Sequence, residues 1–396
     1  MKREIQVLLL AVFVAMLGLG IVSPLIPIYA EDLGATYTQI GLLSSAWSIS
    51  RFVFSAPAGR TSDTIGKKKV IMAGLFTYSA VSLLYSVAWN FTSLITFRLV
   101  HGLGSAMAMP VAMAYAAELS PKGKEGRYMG TMNLAMFGGM GMGPLIGGTL
   151  TDTLGTSAPF YIMSALTVIS LALTYAFLPR IETSSFDPNR PRPSFRKVLS
   201  NRILLASFLF RAVNALGRGA IFSFLTIFMH TAVSEGGLGL SLTQAGTVLS
   251  VGQLSSAGLQ RPFGDLADRY NKKTIIVVGG IVSALGMLAF PFTNNFWQVL
   301  GARLLFSLGS ATMLPAISAI AAIEGRELGV GTTMSVLQSA MSLGMMAGPL
   351  VSGILADMFS LTPIFYVGTA ISLIGTGIFV VLSRGYSGIE VLNPAE

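Results

Sequence analysis

The chain has 396 residues, 53% hydrophobic and only 11% charged, with 44 glycines, 20 methionines and no cysteine. A soluble domain carries about 25% charged residues, so this composition excludes a water-soluble enzyme, a secreted module and a disordered chain; without cysteine there is no disulfide framework, thiolate zinc site or thiol nucleophile. The formal net charge of +9 looks like a nucleic-acid footprint until the bases are placed, and they mark membrane orientation instead.

A spanning helix needs about 20 mostly apolar residues. Twelve stretches qualify, near 5–30, 38–58, 70–90, 92–117, 127–150, 158–178, 203–229, 241–262, 274–292, 296–322, 332–355 and 361–383. The opening Met-Lys-Arg-Glu imitates a signal peptide, but the apolar run that follows reaches about Ala30. That is longer than the usual core of about 7–15 residues in such peptides, so it reads as a retained first span. The hydrophilic stretch from Pro179 to Arg202 holds Pro188, Pro191 and Pro193 with several arginines. It reads as a linker at 180–202 between two six-helix bundles, 1–179 and 203–396. The expected fold is therefore an all-α membrane protein of twelve transmembrane helices.

With the N-terminus in the cytoplasm, 21 of the 26 Lys and Arg fall on the cytoplasmic side. The outer loops then hold only Glu31, Asp32, Asp152, Glu235 and Asp357 as charged residues. The positive-inside rule thus predicts a multi-pass plasma (inner) membrane protein with both termini cytoplasmic.

The halves align without a gap over about a hundred residues at an offset of 205. Gly59 pairs with Gly264, Asp63 with Asp268, Arg98 with Arg303, Pro110 with Pro315, Gly143-Pro144 with Gly348-Pro349, and Asp152 with Asp357. The turn Thr38-Gln39-Ile40-Gly41 recurs as Thr243-Gln244-Ala245-Gly246. Six spans per repeat give both halves one orientation, the plan of carriers that rock around a midplane site in a central cavity.

At these residues the chain resembles the major facilitator superfamily. The loop Gly59-Arg60-Thr61-Ser62-Asp63-Thr64-Ile65-Gly66-Lys67-Lys68-Lys69, with its counterpart from Gly264 through Asp268 to Lys273, looks like that family's cytoplasmic signature. It departs by Thr64 where an arginine is usual and by Asn271 where a glycine is usual. Arg98-Leu99-Val100-His101-Gly102-Leu103-Gly104 and Gly139-Met140-Gly141-Met142-Gly143-Pro144-Leu145-Ile146-Gly147-Gly148 resemble two motifs of its drug–proton antiporter branch. The resemblance implies alternating access, usually by a monomer, and a gating role for Gly59, Asp63, Gly66, Lys67, Gly264, Asp268, Gly143 and Pro144. Asp63 and Glu118, with Arg60, Lys67 and Arg127 nearby in topology, are candidates for a charge cluster that latches one gate.

Five arginines, Arg51, Arg98, Arg211, Arg218 and Arg303, lie inside spans, and none of the 17 acidic residues lies deep in one. Each arginine costs about 2.5–3.5 kcal/mol at the bilayer centre, so they must face a cavity or protein partners. Helical spacing groups Ser44, Trp47 and Arg51; Arg98, His101 and Ser105; Arg211, Asn214 and Arg218; Gln253, Ser256 and Gln260; and, more weakly, Gln338 and Ser342. Arg98 and Arg303 occupy matching positions in the repeat and suit a structural role as well as a functional one. Arg51, Arg211 and Arg218 have no basic counterpart in the opposite half and read as substrate ligands. A guanidinium fork suits carboxylate or phosphate, which favours an anionic cargo. That pattern disagrees with a multidrug exporter of cations, which would want a buried carboxylate.

Candidate substrate contacts are thus Trp47, Arg51, Arg211, Asn214, Arg218, Gln253 and Gln338. His101, whose unperturbed pKa of about 6.5 suits a proton switch, leads the coupling candidates with Arg98, Asp63 and Glu118. The expectation is a secondary carrier, an efflux pump for small amphipathic or anionic compounds or drugs, with protons as coupling ion. A lipid or lysolipid flippase and a non-transporting receptor are the alternatives. No phosphate-binding loop, cofactor, metal site, nucleic-acid partner or enzymatic activity is expected.

Overall fold

In hydrocarbon every backbone amide needs a partner within the chain, and the helix supplies it locally. The computed structural model describes residues 3–119, 125–179, 195–328 and 330–386, and among these no strand occurs. The helices of the first half are α1 (Arg3–Val22), α2 (Leu25–Asp32), α3 (Tyr37–Ile65), α4 (Lys67–Tyr85), α5 (Phe91–Leu119), α6 (Glu125–Leu154) and α7 (Ala158–Phe177). Those of the second are α8 (Phe195–Ser200), α9 (Arg202–His230), α10 (Leu242–Arg269), α11 (Lys272–Ala289), α12 (Phe296–Leu328), α13 (Val330–Met358) and α14 (Thr362–Leu382).

Each predicted span falls mainly on one helix, except the first, which divides into α1 and α2 at Ser23-Pro24; span 70–90 runs past the end of α4 at Tyr85, and span 274–292 ends in a 3-10 turn, Phe290–Phe292, after α11. Among the described residues, eight helical stretches are long and apolar enough to cross a membrane on composition alone. The remaining long helices, α3, α4, α6 and α10, have 29, 19, 30 and 28 residues but carry more polar and charged side chains. Three helices overrun the predicted limits by six or seven residues: α3 continues to Ile65, α10 to Arg269 and α12 to Leu328. The break between α3 and α4 is Gly66, whose φ of +96° only glycine adopts without strain. The short α8 falls in the stretch read as linker, of which residues 180–194 lie outside the described residues. Six helix-interior prolines, Pro57, Pro110, Pro144, Pro262, Pro315 and Pro349, keep the 205-residue spacing in pairs, so the bends they permit recur in both copies.

The chain divides into two units. Unit one comprises Met1–Pro188, Phe222–Leu254 and Pro349–Ser360; unit two comprises Asn189–Ile221, Ser255–Gly348 and Leu361–Glu396. In unit one α1 packs on α6 and α7, and α5 packs on α3 and α4, around Leu8, Val12, Met16, Leu75, Tyr78, Met109 and Tyr115. In unit two α11 packs on α12 and α14, around Phe210, Ile276, Met313, Ile317 and Phe379. Between helices in lipid the attraction comes from close packing, so small residues sit at the crossings. A methyl added to Gly74 would lie 2.7 Å from the Ala108 amide, and one on the repeat-related Gly279 2.9 Å from the Met313 amide. The repeat thus preserves the same crossing in both copies.

Candidate functional site

The face of α9 that spaces Arg211, Asn214 and Arg218 by three and four residues is the polar stripe of unit two. Both arginines are partly buried. Arg211 donates from Nη2 to Met341 Sδ at 3.7 Å, a weak acceptor, while its Nε has no partner. Asn214 is 3% exposed and its Nδ2 has no partner. The Arg218 guanidinium stands 5.2 Å from the centre of the Phe306 ring on α12. Arg303, one turn before Phe306, stands 5.4 Å from the same ring. Arg218 is within electrostatic range of both Arg211 and Arg303. Gln338, on α13, is exposed.

Unit one holds two further polar groups. On α3 the Arg51 guanidinium lies 5.4 Å from the Trp47 ring, and the buried Trp47 Nε1 has no partner. On α5 Arg98 and His101 are 4% and 0% exposed. Tyr85, from α4, meets His101 Nδ1 through its hydroxyl at 3.2 Å, and the Tyr78 ring stands edge-on to the imidazole at 4.7 Å. His101 Nε2 and Arg98 Nε are buried without partners. Gln253, on α10, is partly buried in the same unit and lines the approach to Gly141.

The residues expected to form the gate are placed unevenly. Gly59 and Gly264 have open space or only a loose contact where a side chain would stand, so close packing is not what they serve. Lys67 is buried at the start of α4. The neighbouring Lys68 donates from Nζ to the Tyr175 carbonyl at 2.8 Å, and its repeat partner Lys273 donates to the Ser383 carbonyl at 3.2 Å. Each thereby neutralises the C-terminal end of the last long helix of its own half, where unpaired carbonyls attract a cation. The side chains of Asp63, Glu118, Arg127 and Asp268 lie outside the described residues.

The glycine-rich stretch of α6 is a packing surface. Methyls on Gly139, Gly143 and Gly147 would overlap the backbone of α1 at Phe13, Gly20 and Ile21. On Gly148 a methyl would overlap the Leu242 carbonyl, and Gly246 is pressed in turn against the Pro144 carbonyl. The repeat-related contacts are Gly353 on the Tyr37 carbonyl and Gly41 on the Pro349 carbonyl. Beside them, Asp152 accepts the Thr243 amide at 2.7 Å and the Leu242 amide at 3.3 Å. Asp357 accepts the Thr38 and Tyr37 amides at 2.8 and 2.9 Å. All these residues belong to unit one, so it contains a seam closed twice by the same device: a carboxylate at the end of one helix caps the start of another.

Burial alone would raise the Asp152 carboxyl, but hydrogen bonds from the Thr243 hydroxyl and amide, the Leu242 amide and Ser241 outweigh it and hold the group below the ordinary aspartate range. The ends of α3 and α10 are otherwise capped locally. Thr36 and Gln39 exchange bonds, as do Ser241 and Gln244, which leaves two free amides for each aspartate.

Trp47 with Arg51, Arg98 with His101, and Arg211 with Asn214 and Arg218 therefore each form a local group, as their helical spacing requires. The Arg303–Phe306 partnership with Arg218 was not read from the sequence. Its signal was present, since Arg303, Phe306, Ser307 and Ser310 share one face of α12 at steps of three, four and seven. The capping roles of Asp152 and Asp357 depend on which helices meet and had no local signal beyond the repeat pairing.

Comparison with known proteins places this architecture. The family model described as Major Facilitator Superfamily matches twice, over residues 8–233 and 208–395. An uncharacterized MFS-type transporter, MJ1560, of Methanocaldococcus jannaschii is 28% identical over 382 residues, 94% of this chain and 96% of that protein. The quinolone resistance protein NorA of Staphylococcus aureus is 26% identical over 398 residues, 99% of this chain and all of that protein. Among solved structures, a bacterial homologue of the human lysosomal transporter Spinster, in an inward-facing and unoccupied conformation, aligns with a TM-score of 0.83 at 15% identity over 97% of this chain and 98% of its own. The human organic anion transporter MFSD10 aligns with a TM-score of 0.68 at 19% identity over 95% of this chain and 99% of its own. With both halves matched, the chain belongs to the major facilitator superfamily of membrane transporters.

Proposed function

We propose that this protein is a proton-coupled secondary carrier that exports small amphipathic or anionic organic compounds by alternating access, working as a monomer in the plasma (inner) membrane with both termini cytoplasmic. The observation that carries the reading is a full-length family match combined with five arginines inside spans whose interiors hold no acidic residue. The likeness to NorA, a quinolone resistance protein, supports export. The likeness to MFSD10, an organic anion transporter, agrees with the charge pattern. Arg211, Asn214 and Arg218 serve as cargo ligands, with Arg51 over Trp47, Gln253 and Gln338 as further contacts. The halves 1–179 and 203–396, joined by the linker 180–202, act as the two bodies of the cycle.

His101 is the foremost proton carrier. It is fully buried, hydrogen-bonded through one ring nitrogen and free at the other. Asp63, Glu118 and Arg98 are the other coupling candidates, and the Gly59–Lys67 and Gly264–Asp268 segments form the gate.

Reconstituted protein in liposomes with an imposed pH gradient tests the reading directly. Uptake of a fluorescent organic anion into inside-acidic vesicles, as expected if inside-out molecules exchange it for protons, should collapse when a protonophore is added. It should also fall at least tenfold in the Arg211→Ala/Arg218→Ala double variant, and His101→Gln should bind cargo but lose the dependence on the gradient. Gradient-driven flux of lipophilic cations alone, untouched by the double variant, would remove the anionic cargo. Binding without flux of any compound would remove the carrier.

A further inference from the structure

Unit two gathers more positive charge than the α9 stripe alone supplies. Arg218 and Arg303 stand against one aromatic ring, 5.2 and 5.4 Å from its centre, and Arg218 is within electrostatic range of Arg211. Among the described residues no carboxylate pairs with any of the three. On the same two helices, α9 and α12, and on the same faces by helical spacing, are further donors without partners: Arg211 Nε, Arg303 Nε, the Asn214 amide and the Ser307 hydroxyl, all buried. Arg303, Asn214 and Ser307 are 8%, 3% and 1% exposed, so these groups are held away from bulk solvent. A buried polar group without a partner is costly, so several of them beside three unpaired guanidinium groups call for a partner.

The repeat shows that this is particular to the second half. At the offset of 205, Arg303 corresponds to Arg98, Phe306 to His101, Ser307 to Gly102 and Phe290 to Tyr85. In the first copy the Tyr85 hydroxyl engages the imidazole beside the arginine. In the second copy both positions are phenylalanine, and a guanidinium from another helix, Arg218, shares the ring instead. A phenylalanine ring attracts two cations without neutralising either. It can hold two planar forks in place and leave their N–H groups free to donate.

From this we infer that Arg211, Arg218 and Arg303, with Asn214 and Ser307, form a site for a dianionic phosphate monoester group. The inference rests on the reading of Arg211 and Arg218 as cargo ligands and specifies it. Three guanidinium forks, an amide and a hydroxyl offer many donors and few acceptors. A phosphate monoester brings three terminal oxygens and a charge of about −1.5 to −2 at neutral pH, with a second pKa near 6. A carboxylate or a sulfate ester brings one charge and leaves two of the three arginines uncompensated. The arrangement assigns Arg303 to the cargo site and Phe306 to positioning the two guanidinium groups.

The test is binding to the purified full-length protein in detergent, by calorimetry and thermal shift, of phenyl phosphate, phenyl sulfate and benzyltrimethylammonium. These probes share a phenyl group and differ in charge. Phenyl phosphate should bind at pH 7.5 at least tenfold more tightly than phenyl sulfate, and should weaken about tenfold at pH 5, where the second proton is on. Arg303→Lys keeps the charge but removes the fork, and should weaken phenyl phosphate about tenfold while leaving benzyltrimethylammonium unchanged.

Equal binding of phosphate and sulfate by the unaltered protein would overturn the assignment, and that comparison needs no variant. So would unchanged phosphate binding in an Arg303→Lys protein that melts normally. Lysophosphatidic acid, with the same group on an acyl chain, separates the sources: tighter binding than phenyl phosphate points to a lipid and weaker binding to a soluble ester, and the group assignment stands in both. Failure of the carrier reading would look different: the dianion preference in binding would persist while no probe moved under a pH gradient.

Discussion

Removing the Asp152 carboxylate should loosen the seam inside unit one. Asp152 lies at the end of α6, and its two oxygens take the Thr243 and Leu242 amides of α10 at 2.7 and 3.3 Å. Those amides belong to the first turn of the helix, where no intrahelical acceptor exists, and the local pair Ser241–Gln244 satisfies other groups. Loss of an N-terminal cap costs about 0.5–2 kcal/mol, and a favourable charge at a helix N-terminus adds about 0.3–1 kcal/mol at an exposed site. Because Asp152 is exposed, a total of about 1–2 kcal/mol is expected for Asp152→Ala, or a factor of about 5–30 in the fraction of molecules with the seam open.

The chain has no cysteine, so Ser250→Cys introduces a single reporter thiol. Ser250 is 3% exposed and its hydroxyl accepts the Leu145 amide across the seam at 2.9 Å. Its maleimide labelling rate in liposomes should rise about 5–30-fold when Asp152→Ala is added. Asp357→Ala, which frees Tyr37 and Thr38, should act in the same direction, and the double variant should exceed either. A labelling rate within about twofold of the parent in all three, in protein that folds, would refute the reasoning, since it lies outside the range the caps imply.

Three further outcomes follow. Asp152 is held below the usual aspartate range in the folded protein, so its contribution is present above the unfolded value of about 3.9 and is lost as pH falls through the lower folded value; the melting difference between the parent and Asp152→Asn should be full at pH 7 and shrink to nothing only under strongly acid conditions. Gly148→Ala would drive a methyl into the Leu242 carbonyl and should cost about 1–3 kcal/mol of stability, whereas Gly59→Ala meets open space inside α3 and should stabilise by about 0.5–1 kcal/mol, both read from denaturation midpoints. Tyr85→Phe, which imitates Phe290 of the second repeat, strips the 3.2 Å partner from the buried His101 Nδ1 and should destabilise by about 1–3 kcal/mol; no change in the melting midpoint would mean that this contact contributes nothing to the folded state.

Much of the architecture is written in local chemistry. In a bilayer each long apolar run has only the helix available to it, so most span positions follow from hydropathy. A repeat at a constant offset reproduces its bends and crossings because Pro57 and Pro262, or Gly74 and Gly279, are the same residues in the same places. Trp47 with Arg51, and Arg211 with Arg218, could be paired from the sequence because helical spacing puts them on one face. Helix ends were less legible. α3 overran its apolar segment to Ile65 because it ends at the left-handed Gly66 rather than where hydropathy falls.

What the sequence could not decide is which helices meet. Asp152 and Thr243 are 91 residues apart, and Tyr37 and Asp357 are 320 apart. A cap supplied from another helix leaves no periodic trace, so both aspartates read only as a repeat-related pair of acids in outer loops. The same reason hid Arg303: its matching position to Arg98 suggested a structural part, and only the tertiary structure brings it and Arg218 to one ring. Side-chain spacing along a helix determines which residues share a face; the tertiary packing of helices decides which faces meet and what charge they hold in common.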